Sequence, residues 1–125
     1  MLQKLDIVVI VVRDWPAAVA WYTEKLGLRV LYREDDDQWC QLAFPAGGAN
    51  LALLGNPRVD IAAGNRCLPD ILVDNLDAAV RELRERGVPF KGNIRGGDEG
   101  FRIATFVDPE GNELQIYEWV ESGKR

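Results

Sequence analysis

Apolar and polar positions alternate along this chain in blocks that recur in the same order twice. Leu5 to Val12 is apolar and β-branched but for Asp6, continuously so over the six residues Ile7 to Val12, which predicts a strand buried on both faces. Asp14 then supplies a helix N-cap. Pro16 sits in the first turn, Ala17, Ala18, Trp21, Tyr22 and Leu26 follow at helical spacing, and Gly27 marks the stop, so residues 15–26 predict an amphipathic helix. Trp15, Trp21 and Tyr22 are expected to pack that helix on a sheet. Three strands follow, Leu28 to Arg33, Gln38 to Phe44 and Asn50 to Leu54, separated by the turn-rich stretches Glu34 to Asp37 and Pro45 to Ala49.

The second half repeats this order. Strand Cys67 to Val73 leads to helix Leu76 to Arg86, closed by Gly87, and then to strands Val88 to Lys91, Phe101 to Val107 and Glu113 to Trp119. The turn Asp108-Pro109-Glu110-Gly111-Asn112 joins the last two as a hairpin. Sliding the chain on itself by 61 residues lays Val12-Arg13-Asp14 on Val73-Asp74-Asn75 and Ala17-Ala18-Val19 on Ala78-Ala79-Val80. An internal β-α-β-β-β repeat accounts for both matches. Module one is then about residues 4–54, the linker 55–66 and module two about 67–120, within one domain of 125 residues.

Composition narrows the function. The chain has no histidine, which removes the commonest metal ligand, the usual general base near neutral pH and every histidine-containing triad. A net charge of -5 argues against a nucleic-acid partner and favours neutral or cationic ligands. No apolar run approaches the roughly 20 residues that span a bilayer, no export signal is visible, and Cys40 and Cys67 are expected as reduced, small apolar fillers. The expected setting is the cytoplasm, with no membrane partner.

Val11-Val12-Arg13-Asp14 leading into Ala17 to Tyr22 and Leu26-Gly27-Leu28 resembles the opening of the vicinal-oxygen-chelate superfamily, the glyoxalase/bleomycin-resistance/dioxygenase-like domains. Phe106-Val107-Asp108-Pro109-Glu110-Gly111-Asn112-Glu113-Leu114 resembles its closing hairpin. The resemblance implies an α+β fold, two tandem βαβββ modules whose mixed sheets curl around a cleft, usually in a homodimer. In enzymatic members a divalent metal sits in that cleft on four strand positions. Carried onto this chain, the four fall at Ile7, seven residues before Asp14, and at Ala52, Leu68 and Gln115. Only Gln115 has an oxygen to offer, and stable sites use three or four charged or imidazole ligands. The expectation is therefore a protein without metal or other cofactor.

Residues sharing the parity of those positions should line the cleft: Val9, Val11, Asn50, Leu54, Asp70, Leu72, Tyr117 and Trp119. Trp39 and Gln41 join them if Leu42 and Phe44 face the core. On the seventh strand either Phe101 with Thr105 or Arg102 with Phe106 faces inward. The candidate ligand-binding set is Trp39, Gln41, Asn50, Asp70, Arg102, Gln115 and Tyr117. Trp39 offers a stacking surface and Asp70 a countercharge, the makings of a site for an aromatic or cationic compound, as in metal-free antibiotic-sequestering members of the family. Asp70, a carboxylate in an apolar strand, is also the one candidate for acid or base catalysis. That leaves two alternatives: a glyoxalase-like lyase or isomerase with a non-standard site, and an interaction module with a filled cleft. Arg95 and Arg102 flank the loop Gly96-Gly97 to Gly100, expected as a lip over the cleft, and either can meet a ligand carboxylate.

Overall fold

The computed structural model describes residues 1–98 and 100–120. The chain divides into two compact units, Met1–Ala63 and Gly64–Arg125. The first contains β1 (Ile7–Val12), α1 (Trp15–Glu24), β2 (Arg29–Glu34), β3 (Trp39–Ala43), β4 (Asn50–Gly55) and a short turn of 3-10 helix at Ile61–Ala63. The second contains β5 (Asp70–Leu72), α2 (Leu76–Glu85), β6 (Phe90–Gly96), β7 (Phe101–Val107) and β8 (Glu113–Trp119). Each is a β-α-β-β-β module with one four-stranded mixed sheet, ordered β1-β4-β3-β2 in the first and β5-β8-β7-β6 in the second. The fold is α+β. In each sheet the first strand pairs in parallel with the last, and the remaining pairs are antiparallel.

The two helices start alike because their caps are alike. The Asp14 carboxylate accepts from the Ala17 amide at 3.2 Å, and Asn75 Oδ1 accepts from the Ala78 amide at 3.0 Å. Both end on a glycine with positive φ, Gly27 and Gly87. Helix α1 buries Trp15, Ala18, Val19 and Tyr22 in a module whose core holds Val12, Leu42 and Leu53, and α2 buries Leu76 and Val80 in a module whose core holds Phe106, Leu114 and Ile116. Fully burying one such side chain contributes roughly 2 kcal/mol, so the helix-facing sides of the sheets carry most of the hydrophobic stabilisation. Among the described residues no helix is long and apolar enough to cross a membrane.

Three sequence expectations change. Strand β1 is buried on one face only: Ile10 and Val12 are buried, while Val9 and Val11 are exposed, because β1 is an edge strand covered by a helix on a single side. Strand β5 is shorter than Cys67 to Val73. Pro69 has no N–H to pair, and the segment before it is held instead by Asn65, whose amide nitrogen donates to the carbonyls of Cys67 (2.6 Å) and Glu113 (2.9 Å) while its oxygen accepts from the Glu113 amide (2.8 Å). Strand β6 runs on to Gly96 instead of stopping at Lys91, after a register shift between Lys91 and Arg95 that contains Gly92 at φ 69°. At the expected lip the Gly97 amide donates to the Phe101 carbonyl at 2.8 Å, and residue 99 lies outside the described residues. A side chain at Gly96 would bring its Cβ to 2.5 Å from that same carbonyl.

Candidate functional site

Each helix packs on one face of its sheet, and the opposite face, the one the helix does not cover, carries the candidate site residues. Side chains alternate along a strand, and paired residues of neighbouring strands share a face. In the first module Ile7 lies opposite Asn50, Val9 opposite Ala52, and Val11 opposite Leu54, while β3 sets Gln41 beside Ala52 and Trp39 beside Leu54. The uncovered face therefore joins Trp39, Gln41 and Asn50, all half-buried, on an otherwise apolar surface.

In the second module Asp70 lies opposite Gln115, and Gln115 opposite Thr105, a polar row crossing three strands. The next row is Leu72, Tyr117 and Ile103. Tyr117 meets Trp119, two residues on, edge to face with ring centroids 5.4 Å apart at 87°. Under the 61-residue repeat Val9 corresponds to Asp70, so the row Val9–Ala52 in one module is Asp70–Gln115 in the other. The repeat conserves the geometry and changes the chemistry from hydrocarbon to carboxylate and amide.

The polar row is partly wired. Thr105, buried, accepts at Oγ1 from Gln115 Nε2 at 3.1 Å and from an Arg95 guanidinium nitrogen at 3.2 Å. Lys91, on the same face, is paired with Glu113 at 2.5 Å. Asp70 has no cation partner among the described residues. Its side chain reaches solvent, yet its partial burial beside the sheet pushes its carboxyl above the ordinary value.

Arg102 lies elsewhere. Its register partner is Glu118, on the helix-facing side of β8, where its guanidinium pairs with Glu118 at 3.1 Å and with both carboxylate oxygens of Asp77 on α2 at 3.0 and 3.2 Å. Glu118 also accepts from the Leu76 amide at 2.7 Å, capping α2. Thr105, with Phe101 and Ile103, shares the Gln115 face of the sheet in its place. Arg102 is thus a structural clamp, and it leaves the candidate ligand set.

That clamp has a pH signature. The hydrogen bond and charge of Arg102 hold the Asp77 carboxyl below its ordinary value, so its contribution is present above the unfolded value and is lost as pH falls through the folded one. Thermal melts of wild type and Arg102→Gln are expected to differ at neutral pH and to converge as pH drops below about 4. A gap that stayed constant through that range would show that the clamp acts by packing alone.

The residues at the family's metal positions do not fit a divalent ion. Ile7 and Ala52 are hydrocarbons, Leu68 is an exposed hydrocarbon ahead of β5, and the Gln115 amide nitrogen is already engaged with Thr105. Among the described residues no three of His, Cys, Asp or Glu are grouped as a metal would need.

The model of the Glyoxalase/Bleomycin resistance protein/Dioxygenase superfamily matches residues 4–116. The uncharacterized protein YwkD of Bacillus subtilis (strain 168) is 30% identical over 128 aligned positions, covering 94% of this chain and 98% of YwkD. Among solved structures, a glyoxalase/bleomycin resistance protein/dioxygenase from Nocardioides superposes with a TM-score of 0.80 at 23% identity, covering 99% of this chain and 88% of that one. TnmS3, an antibiotic binding protein from Streptomyces sp. CB03234, superposes with a TM-score of 0.77 at 26% identity, covering 94% of this chain and 97% of TnmS3. Sequence repeat, strand order and these likenesses converge: the chain belongs to the glyoxalase/bleomycin resistance protein/dioxygenase superfamily.

Proposed function

We propose that this chain is a metal-free small-molecule-binding protein that takes a planar aromatic, cationic compound on a sheet face its helix does not cover. The observation that carries the reading is Asp70: a carboxylate with no cation partner among the described residues, raised by partial burial, in register with the Gln115 amide and one row from the Tyr117–Trp119 pair. Such a group weakens the fold and gains its partner from a bound cation. Trp39, Gln41 and Asn50 give the first module a stacking surface and two neutral polar handles. The likeness to an antibiotic binding protein supports the same class of ligand.

The test is direct binding of rhodamine B ethyl ester, a planar aromatic cation without a free acid, followed by tryptophan quenching and calorimetry with EDTA present. Wild type is expected to bind, and Asp70→Asn to weaken binding about tenfold, the loss of one charge-assisted contact. The sign of the stability change is opposite. A carboxyl raised in the folded state makes its ionised form unfavourable there, so stability falls as pH rises from the unfolded toward the folded value. Asp70→Asn is therefore expected to melt higher than wild type at neutral pH and equally below about pH 4. Absence of dye binding, or binding that requires added zinc or nickel, would overturn the proposal.

The raised carboxyl of Asp70 favours one second reading, a lyase or isomerase in which Asp70 shuttles a proton. Turnover of a hydroxy-carbonyl substrate, abolished in Asp70→Asn with the fold intact, would establish that reading over sequestration.

A further inference from the structure

Among the described residues, Arg95 is the cation on the uncovered face of module two that the structure leaves without a carboxylate. Lys91, its neighbour on β6, is neutralised by Glu113, and Arg102 is neutralised on the opposite face by Asp77 and Glu118. Arg95 makes no ion pair among the described residues and donates a single hydrogen bond, to Thr105. That contact is a positioning one. The guanidinium is drawn inward across β7 toward a buried hydroxyl, and since Gln115 donates to the same oxygen, Thr105 is saturated as an acceptor. Of the five N–H groups that a guanidinium carries, this bond engages one of Arg95's among the described residues.

The row is thereby polarised. It has an acceptor-only carboxylate, Asp70, at the β5 edge and a donor-only guanidinium anchored over β7. Two strand spacings of about 4.8 Å separate β5 from β7, so the two charges stand about 10 Å apart. Beside the line joining them lies the apolar and aromatic row of Leu72, Tyr117 and Ile103.

Resting on the ligand-binding reading above, we infer that Arg95 is a specificity-determining residue that binds a carboxylate of the ligand. The preferred ligand is then an amphoteric aromatic compound, with its cationic group on Asp70 and its carboxylate on Arg95. Planar bidentate pairing makes arginine the suitable receptor for a carboxylate, and Thr105 fixes the orientation of the fork.

Rhodamine B and its ethyl ester differ only in whether the carboxylate is free, so they separate the two readings. Wild type is expected to bind the free acid about tenfold more tightly than the ester. Arg95→Gln is expected to lose that preference while binding the ester within twofold of wild type. Thr105→Val, which removes the anchoring oxygen, is expected to reduce the ratio of acid to ester affinity. Melting temperatures within error of wild type for the exposed Arg95→Gln serve as the fold control. Equal affinity of wild type for acid and ester, or an Arg95→Gln loss that is the same for both, would overturn the role of Arg95 and leave the ligand-binding reading standing. Binding of neither dye by wild type would overturn both.

Discussion

Asp108→Ala is expected to lower the free energy of unfolding by about 3 kcal/mol, because it strips a buried carboxylate from the turn that sets the register of β7 and β8. Asp108 Oδ1 accepts from the amides of Glu110 and Asn112, both at 2.9 Å, and Oδ2 accepts from Asn112 Nδ2 at 3.0 Å. Asp108 is 3% exposed and Asn112 7% exposed, so the Asn112 donors have little water to turn to. Hydrogen bonds to a charged acceptor contribute about 1.5–3 kcal/mol each, and the Glu110 amide, nearer the surface, recovers part of its share from solvent. Asp108→Asn keeps an acceptor for the two backbone amides but turns an NH2 toward the NH2 of Asn112, for an intermediate loss of about 1.5 kcal/mol. Exchanging the pair, Asp108→Asn with Asn112→Asp, restores one donor facing one acceptor and should recover most of that loss. Urea unfolding of the three variants measures this, provided the slope with denaturant is unchanged. A loss below about 1 kcal/mol for Asp108→Ala would show that the backbone bonds between Asp108 and Asn112 hold the turn without the side chain. The consequence reaches the site, because this turn places Thr105 opposite Gln115.

That same turn decides how much of the site was legible in the sequence. The parity of β8 followed from the family pattern, which put Gln115 and Tyr117 on the uncovered face. The pattern of β7 did not reveal its own parity, since Phe101, Ile103, Ala104 and Phe106 are apolar on both sides of the strand. The signal was in the hairpin: with Val107 facing Glu113 across the Asp108–Asn112 turn, Thr105 must face Gln115 and Arg102 must face Glu118. Arg102 next to a carboxylate, with Asp77 in the first turn of α2, reads as a clamp once that register is drawn. Helix starts were legible because Asp14 and Asn75 are local signals, satisfied within one turn. The ends of β5 and β6 were not. The Asn65 side chain standing in for strand pairing, and a glycine bulge carrying a strand through a stretch that reads as loop, are consequences of tertiary contact. The reach of Arg95 to Thr105 belongs to the same class, because it crosses from β6 to β7 only after the bulge has set the register.

Trp15→Ala is expected to cost about 4 kcal/mol, more than any change on the ligand-facing side. Trp15 is 2% exposed at the first turn of α1, and its indole N–H donates to the Leu53 carbonyl of the central strand β4 at 3.1 Å. The guanidinium of Arg33 stacks 4.8 Å from its ring centre and shields it from water. Truncation opens a cavity the size of the indole between helix and sheet. Trp15→Phe separates the two contributions: most of the packing survives and only the indole donor is lost, for about 1.5 kcal/mol. Arg33→Ala, exposed, is expected to cost only about 0.5 kcal/mol. Urea unfolding gives the three values, and a Trp15→Phe loss as large as that of Trp15→Ala would mean the hydrogen bond, and not the packing, fixes α1 to β4. The side of the sheet matters as well as the size. Leu53 faces the helix, whereas Asn50, Ala52 and Leu54 alternate to the other side with Gln41 and Trp39. Trp15→Ala protein that is still folded, at low temperature and without denaturant, should therefore bind rhodamine B ethyl ester with wild-type affinity. A drop in affinity in that folded state would show that the helix holds the strands of module one in the geometry the ligand face requires.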